Sequence, residues 1–177
     1  NLTPDHATPK FPLTPGFEAQ LVACAPDIHK PMNIACDARG RLWVTDTVEY
    51  PFPVPDGKTG RDTVKILEDF DENGHARKIT TFADGLNEPI GILPLEEGKI
   101  VGCLVYSVPS IQRFLDTTGA GTADKHDTLI TGFEHFATPG MANNSHTSFD
   151  GWGAAAPGFK NHSGGKGQER PGDRRTV

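Results

Sequence analysis

Cysteine is scarce in this chain: Cys24, Cys36 and Cys103 are its three, and no pair of them is spaced as CxxC or CxxCH. Three thiols make no disulfide framework, and the missing CxxCH excludes c-type haem attachment within this segment. Cys24 and Cys36 retain the option of pairing, against the expectation of three buried free thiols. No run of ~18 apolar residues occurs, so no segment is expected to span a membrane as a helix. No basic stretch followed by an apolar one opens the chain, which starts at Asn1; either a removed leader or a fragment of a longer protein is expected. Positive charge is in deficit, with Lys+Arg 17 against Asp+Glu 23, a formal net charge of -6 and a pI near 5.6. That balance excludes a general nucleic-acid binder. Helical spacing of apolar residues is not sustained anywhere. No phosphate-cradling glycine loop, Ser-His-Asp spacing or zinc spacing is present.

What the sequence has in quantity is Gly 20 and Pro 15 in 177 residues, with 36% hydrophobic residues and a mean hydropathy of -0.42. Many short elements joined by turns follow from that composition. Two internal matches organise them. "PMNIACDARGRLWVTDT" meets "PIGILPLEEGKIVGCLV" at an offset of 58, pairing Pro31 with Pro89, Ile34 with Ile92, Gly40 with Gly98 and Leu42 with Ile100. "VKILEDFDENGHARKITTFADGL" meets "IQRFLDTTGAGTADKHDTLITGF" at an offset of 47, pairing Val64 with Ile111, Asp69 with Asp116, Gly74 with Gly121 and Gly85 with Gly132. The offsets differ by 11, which locates an insertion in "TVEYPFPVPDGKTGRDT" of the first copy.

Each copy reads as four short strands: Met32–Cys36, "RLWVT", Val64–Glu68 and "RKITTF" in the first. Such lengths with Gly/Asp turns predict an antiparallel all-β fold. Four-stranded units of about 40–50 residues are the signature of β-propeller blades. A lone blade cannot bury both faces, and two copies cannot close a ring. The expectation is therefore an incomplete arc of about two to three blades, whose partners are the remaining blades of a longer chain; an independent β-sandwich is the alternative. The domain reading is an extended lead over 1–15, a partial propeller over 16–153, and a disordered or aberrant tail over 154–177. The tail "GGKGQERPGDRRTV" has too few apolar residues to offset its ordering entropy.

The phrases "TPGFEAQLVACAPDIHKPMNIACDARGRLWV", "GRDTVKILEDFDENGHARKITTFADGLNEPIGILPLEEGKIVGC" and "DKHDTLITGF" carry a family resemblance over about Phe11 to Phe133. They resemble the N-terminal propeller of the planctomycete and verrucomicrobial membrane-bound dehydrogenase proteins, whose haem-binding CxxCH domain lies further along the chain. Those propellers are related to soluble quinoprotein glucose and sorbosone dehydrogenases. The resemblance implies a six-bladed, TolB-like propeller, an extracytoplasmic location in the periplasm or cell envelope, and quinone (PQQ)-dependent oxidation of sugars or related alcohols. A non-catalytic module that binds polysaccharide or protein is the alternative. After Phe133 the chain departs from the pattern, and Phe149–Trp152 stands where a third inner hairpin is expected.

Two groups of residues are candidates for chemistry. Asp69, Asp71 and Asn73, followed by Gly74, place oxygens at alternating positions as calcium requires; the twelfth position of an EF-hand is Thr80 instead of Glu, and an Asx-stabilised turn is the competing reading. In a meander this turn and "DARG", "EEGK" and "TGAG" share one end, while the insertion and the links "GLNEP" and "GFEHFATPGMANNSH" share the other. The long-loop end carries Asp46, Glu49, Tyr50, Arg61, Asp62, Asn87, His135, Asn143, Asn144 and His146, as a cofactor or substrate face. Oxidation of an alcohol needs a base, for which His146 is the candidate, and a cation for carboxylates or an oxyanion, for which Arg61 is. The competing reading is that Arg61–Asp62 only pins the end of the insertion. Trp43 is expected to pack between units.

Overall fold

The computed structural model describes residues 12–55 and 57–132, and the backbone alone of three further strands at 143–147, 153–156 and 166–167. Among these residues there is no helix. The first sheet is an antiparallel meander of β1 (Pro31–Cys36), β2 (Leu42–Asp46), β3 (Asp62–Phe70) and β4 (Ala76–Leu86), in that order. The second repeats it with β5 (Pro89–Glu97), β6 (Ile100–Ser107), β7 (Ser110–Asp116) and β8 (Lys125–Thr131). β9 (Asn143–Thr147) and β10 (Gly153–Ala156) form a hairpin, and the two residues of β11 (Lys166–Gly167) pair on the outer edge of β8. The strands at 153–156 and 166–167 fall mostly in the segment expected as a tail, the rest of which lies outside the described residues.

The two sheets are copies down to their irregularities. The register breaks between Pro31 and Asn33 in β1 and again between Pro89 and Gly91 in β5. It breaks between Val64 and Lys65 in β3 and between Ile111 and Gln112 in β7, after which Lys65 faces Thr81 and Gln112 faces Thr128. The offsets of 58 for the first strand and 47 for the third and fourth are therefore structural. The second strand differs. Val44 faces Ile34 while Val105 faces Ile92, a separation of 61, so Leu42 and Ile100 are not equivalent. The cause is local: Asp37 staples a wide turn by accepting the Arg39 and Arg41 amides at 2.9 and 3.0 Å, whereas β5 runs on to Glu97 before turning. Fifteen residues (47–61) thus connect β2 to β3 where two (108–109) connect β6 to β7, a larger difference than the insertion of 11 expected from the sequence.

Alternation within the strands sends one set of side chains between the sheets. Trp43, Val64, Ile66, Phe82, Ala83 and Leu86 of the first share one buried cluster with Ile92, Cys103, Val105 and Phe114 of the second. Trp43 is fully buried, edge-on to Phe82 at 4.8 Å, and its indole N–H donates to Asp37 at 2.9 Å. The expectation that Trp43 packs between units holds. The sheets meet most closely at their first strands, where Asn33 Nδ2 donates to the Ile90 carbonyl at 3.2 Å. The opposite face of the first sheet is covered by the segment before β1: Val22, Ala23 and Ile28 pack on Val44, Leu67, Phe70 and Ile79, and the Ala76 amide bonds the Val22 carbonyl at 3.0 Å. The opposite face of the second sheet carries Tyr106, Val108 and Ile111 with Ile90 and Ile130.

The thiols are all free, as expected, but they are not all buried: Cys103 is, while Cys24 is half-buried and Cys36 exposed. No helix among the described residues is long and apolar enough to cross a membrane.

Candidate functional site

The meander puts loop 47–61 and the links 87–88 and 108–109 at one end of the sheets and the tight turns at the other, as the sequence implied. At the long-loop end a single buried carboxylate organises the backbone. Asp62, at the first position of β3, is inaccessible to solvent. Its Oδ2 accepts the Thr47 hydroxyl at 2.7 Å and the Glu88 amide at 2.9 Å, and its Oδ1 accepts the amides of Val48 and Glu49 at 2.7 and 3.2 Å. Asn87 also ties loop to sheet. Its side-chain carbonyl accepts the Val54 amide at 3.0 Å, and its own backbone is held by Ser107 and Val108. Gly60 closes the loop where no other residue fits, since a Cβ there would lie 1.7 Å from the Leu86 carbonyl oxygen.

The structure thereby brings together Glu49, Arg61, Asp62 and Asn87. Arg61 Nε and Glu49 Oε1 are 3.2 Å apart, with Arg61 mostly exposed and Glu49 mostly buried. Tyr50 joins through its backbone, its amide donating to Thr47 and its carbonyl accepting from Lys30 Nζ. Asp46 is instead turned inward, where it accepts the amides of His29 and Lys30 at 2.9 and 2.8 Å and pairs with His29 Nδ1 and Lys65 Nζ at 3.0 and 3.1 Å. Burial pushes Asp46 up, but the bonds from His29, Lys65 and Lys30 outweigh it and hold the carboxyl below its usual range. His135 lies outside the described residues, and of Asn143 and His146 only the backbone, in β9, is described.

Glu88 belongs to this cluster and was not among the residues singled out from the sequence. It sits in the two-residue link between the sheets, is 1% exposed, and has a left-handed backbone at φ 45. Its carboxyl oxygen Oε1 is buried with no hydrogen-bond partner among the described residues. Burial, then the charges of Asp62 and Glu49, raise its pKa; burial and the Glu88 charge in turn push Tyr106 up to about 12. Strained non-glycine backbone and perturbed acids collect at functional sites. The one signal in the sequence was the position of Glu88, immediately before Pro89 at the start of a repeat; nothing in its residue type reported burial.

A folded-state pKa above the unfolded value means that Glu88 favours folding at low pH. Its contribution is fully present below the ordinary glutamate range and is lost as pH rises through that range toward the folded value. Glu88→Gln is expected to stabilise the protein at pH 7 by about 1–2 kcal/mol, because it removes a buried charge set against Asp62 and Glu49, and to flatten the decline of stability above pH ~5. Urea titrations at several pH values check both.

At the opposite end, Asp71 Oδ1 accepts the amides of Asn73 and His75 at 2.8 and 2.9 Å, and Gly74 takes φ 81. This is the geometry of the Asx turn. The second copy anchors its longer turn differently, with Asp116 accepting from Gly119 and Gly121 at 2.7 and 2.8 Å. Among the described residues no group of three His, Cys, Asp or Glu is arranged to hold a metal. Asp71→Ala is expected to lower the melting temperature modestly, and excess calcium to leave that of the unmodified protein unchanged; a calcium-dependent rise of several degrees would restore the ion reading.

A cavity of about 710 Å³ lies elsewhere, between β4 and the β7–β8 hairpin. Among solved structures, an iodide structure of a Trichoderma reesei protein of carbohydrate-active enzyme family AA12 is similar to this chain, with a TM-score of 0.53 and 18% identity over 77% of it. The likeness covers 31% of that protein, so the chain spans about a third of its length. At that identity the likeness speaks to the fold alone. No curated protein matches. A family model described as a domain of unknown function (DUF7133) matches residues 3–175. That span takes in nearly the whole sequence, and the chain belongs to the DUF7133 family.

Proposed function

We propose that the chain is the opening arc of a β-propeller, with β1–β4 and β5–β8 as successive blades and β9–β10 as the start of a third. Six blades complete the ring in a longer, exported protein of the dehydrogenase type that its phrasing resembles, acting on sugars or related alcohols at the long-loop end. The observation that carries the reading is the repetition of the sheet with its bulges, and the placing of β5 beside β1 and β9 beside β5. First strands that adjoin in sequence order line an axis, and outer strands diverge from it.

In this reading His146 on β9 takes the hydroxyl proton, Arg61 is the cation for the developing oxyanion, and the hydride on the same carbon leaves for a two-electron acceptor supplied to the longer protein. Calcium is proposed no further than the turn at Asp71 tests it. A quinone bearing several carboxylates would need a cationic bed. The described long-loop end sets Glu49, Asp62 and Glu88 against Arg61, which Glu49 already engages. These described residues form no such bed, so an anionic quinone would have to be held by residues of the longer protein.

A second reading, a binding module for polysaccharide or a protein partner, is favoured by the commitment of Asp46 and Asp62 to structural hydrogen bonds. The longer protein discriminates the two. With quinone and calcium supplied, sugar-dependent dye reduction that falls at least tenfold in His146→Ala supports the oxidoreductase; no reduction over a sugar panel, with retention on a glycan array, supports the binder. The 177-residue chain alone is expected to show no turnover, because the units that would wall the site are missing from it.

A further inference from the structure

We propose that the cleft between the outer strands of the two sheets binds a short neutral oligosaccharide. The proposal needs only the two sheets as they stand and not the propeller reading, and the cleft lies apart from the Asp62–Glu88 cluster.

The cleft exists because the sheets meet at β1 and β5 and part toward β4 and β8. Phe82 and Phe114, both buried, form its floor. Main chain ties its two sides together: the Ala123 amide, in the loop before β8, reaches across to the Phe82 carbonyl at 2.8 Å. Lys58 and Thr59 of the insertion found only in the first copy form one wall, with Thr59 Cγ2 only 3.2 Å from where a Cβ on Gly85 would lie. A space of about 710 Å³ falls within the size of ordinary ligand sites.

The lining decides the ligand. Asp84, Gln112 and Lys125 open into the cleft, and none has a side-chain hydrogen bond or ion pair among the described residues. Together they offer acceptors and donors not consumed by the fold. Lys58 and Lys125 balance Asp84 and Asp124, which selects against a ligand of high charge of either sign. His126 lies flat on Phe114, with ring centroids 5.7 Å apart and an interplanar angle of 20°, and is itself exposed. Its outer face is a platform against which the apolar face of a sugar ring can stack. Uncommitted amide, carboxylate and ammonium groups around a flat ring match a chain of hydroxyls; an extended peptide pairing with the edge strand β4 is the rival occupant that the test separates.

The test is calorimetric titration of the protein with cellotetraose, maltotetraose and xylotetraose, and with an alginate tetramer as the anionic comparison. At least one neutral tetrasaccharide is expected to bind, and Asp84→Ala and Gln112→Ala, each verified as folded by circular dichroism, to weaken it about tenfold. Arg39→Ala, at the far turn, is expected to leave binding unchanged. Absence of neutral-sugar binding at about 10 mM, binding indifferent to both cleft variants, or preference for alginate or an extended peptide would each overturn the proposal. Dye reduction of a monosaccharide by the longer protein should survive Asp84→Ala, so this proposal and the oxidoreductase reading fail separately.

Discussion

Asp62→Ala is expected to cost about 4 kcal/mol of folding stability, the scale of breaking a buried, charge-assisted hydrogen-bond network. The carboxylate is enclosed and accepts from Thr47, Val48, Glu49 and Glu88. Alanine leaves the Val48 and Glu88 amides and the Thr47 hydroxyl without this acceptor, and the Glu49 amide with Thr47 Oγ1 alone. The damage spans both sheets, because Thr47–Glu49 begins the long loop of the first and Glu88 precedes the first strand of the second. Asp62→Asn keeps one acceptor oxygen but turns an amide toward donors, so an intermediate loss is expected. Urea denaturation measures both; a loss below about 1 kcal/mol for alanine would mean that the loop is held by something other than this carboxylate.

Trp43→Ala is the second large effect, at about 3–5 kcal/mol for a buried aromatic. Trp43 lies in the cluster shared by both sheets, touches Phe82 edge-on, and anchors Asp37 in the first hairpin turn. Removing it opens a void in a core that must carry most of the stability, since total folding free energies are about 5–15 kcal/mol. Trp43→Phe, which keeps the aromatic body and loses the indole donor, is expected to cost less than half as much. Intrinsic fluorescence and thermal melting separate the two variants. Equal losses would show that the hydrogen bond to Asp37, and not the packing, dominates.

The sequence made the repeat legible because hydrophobic alternation and turn glycines recur at fixed offsets, and a strand pattern needs no tertiary information to be seen. It misplaced β2 against β6 because Gly40 and Gly98 look alike while their turns differ in width, and an Asp staple such as Asp37 has no mark that separates it from a solvated acid. The same blindness affected the candidate site. Asp46 reads as a polar residue on an open face, yet it is buried and fastened to backbone amides; for Asp62 the competing reading, that it pins the end of the insertion, is the one its bonds to Thr47, Val48 and Glu49 bear out. Glu88 was passed over because its burial comes from the break between two sheets, a property of their packing and not of the residues around it. The cleft below β4 was equally hidden: Asp84, Gln112 and Lys125 come from three strands and only the splay of the sheets gathers them.

Strands β1–β8 form two four-stranded meanders, broken at Asn87–Glu88 and packed face to face. A crystal structure of the longer protein tests this arrangement most directly. The expected result is β4 and β8 on the outside of separate sheets, β1 and β5 side by side, and Trp43 buried between them. A continuous eight-stranded sheet with β4 hydrogen-bonded to β5 would contradict it.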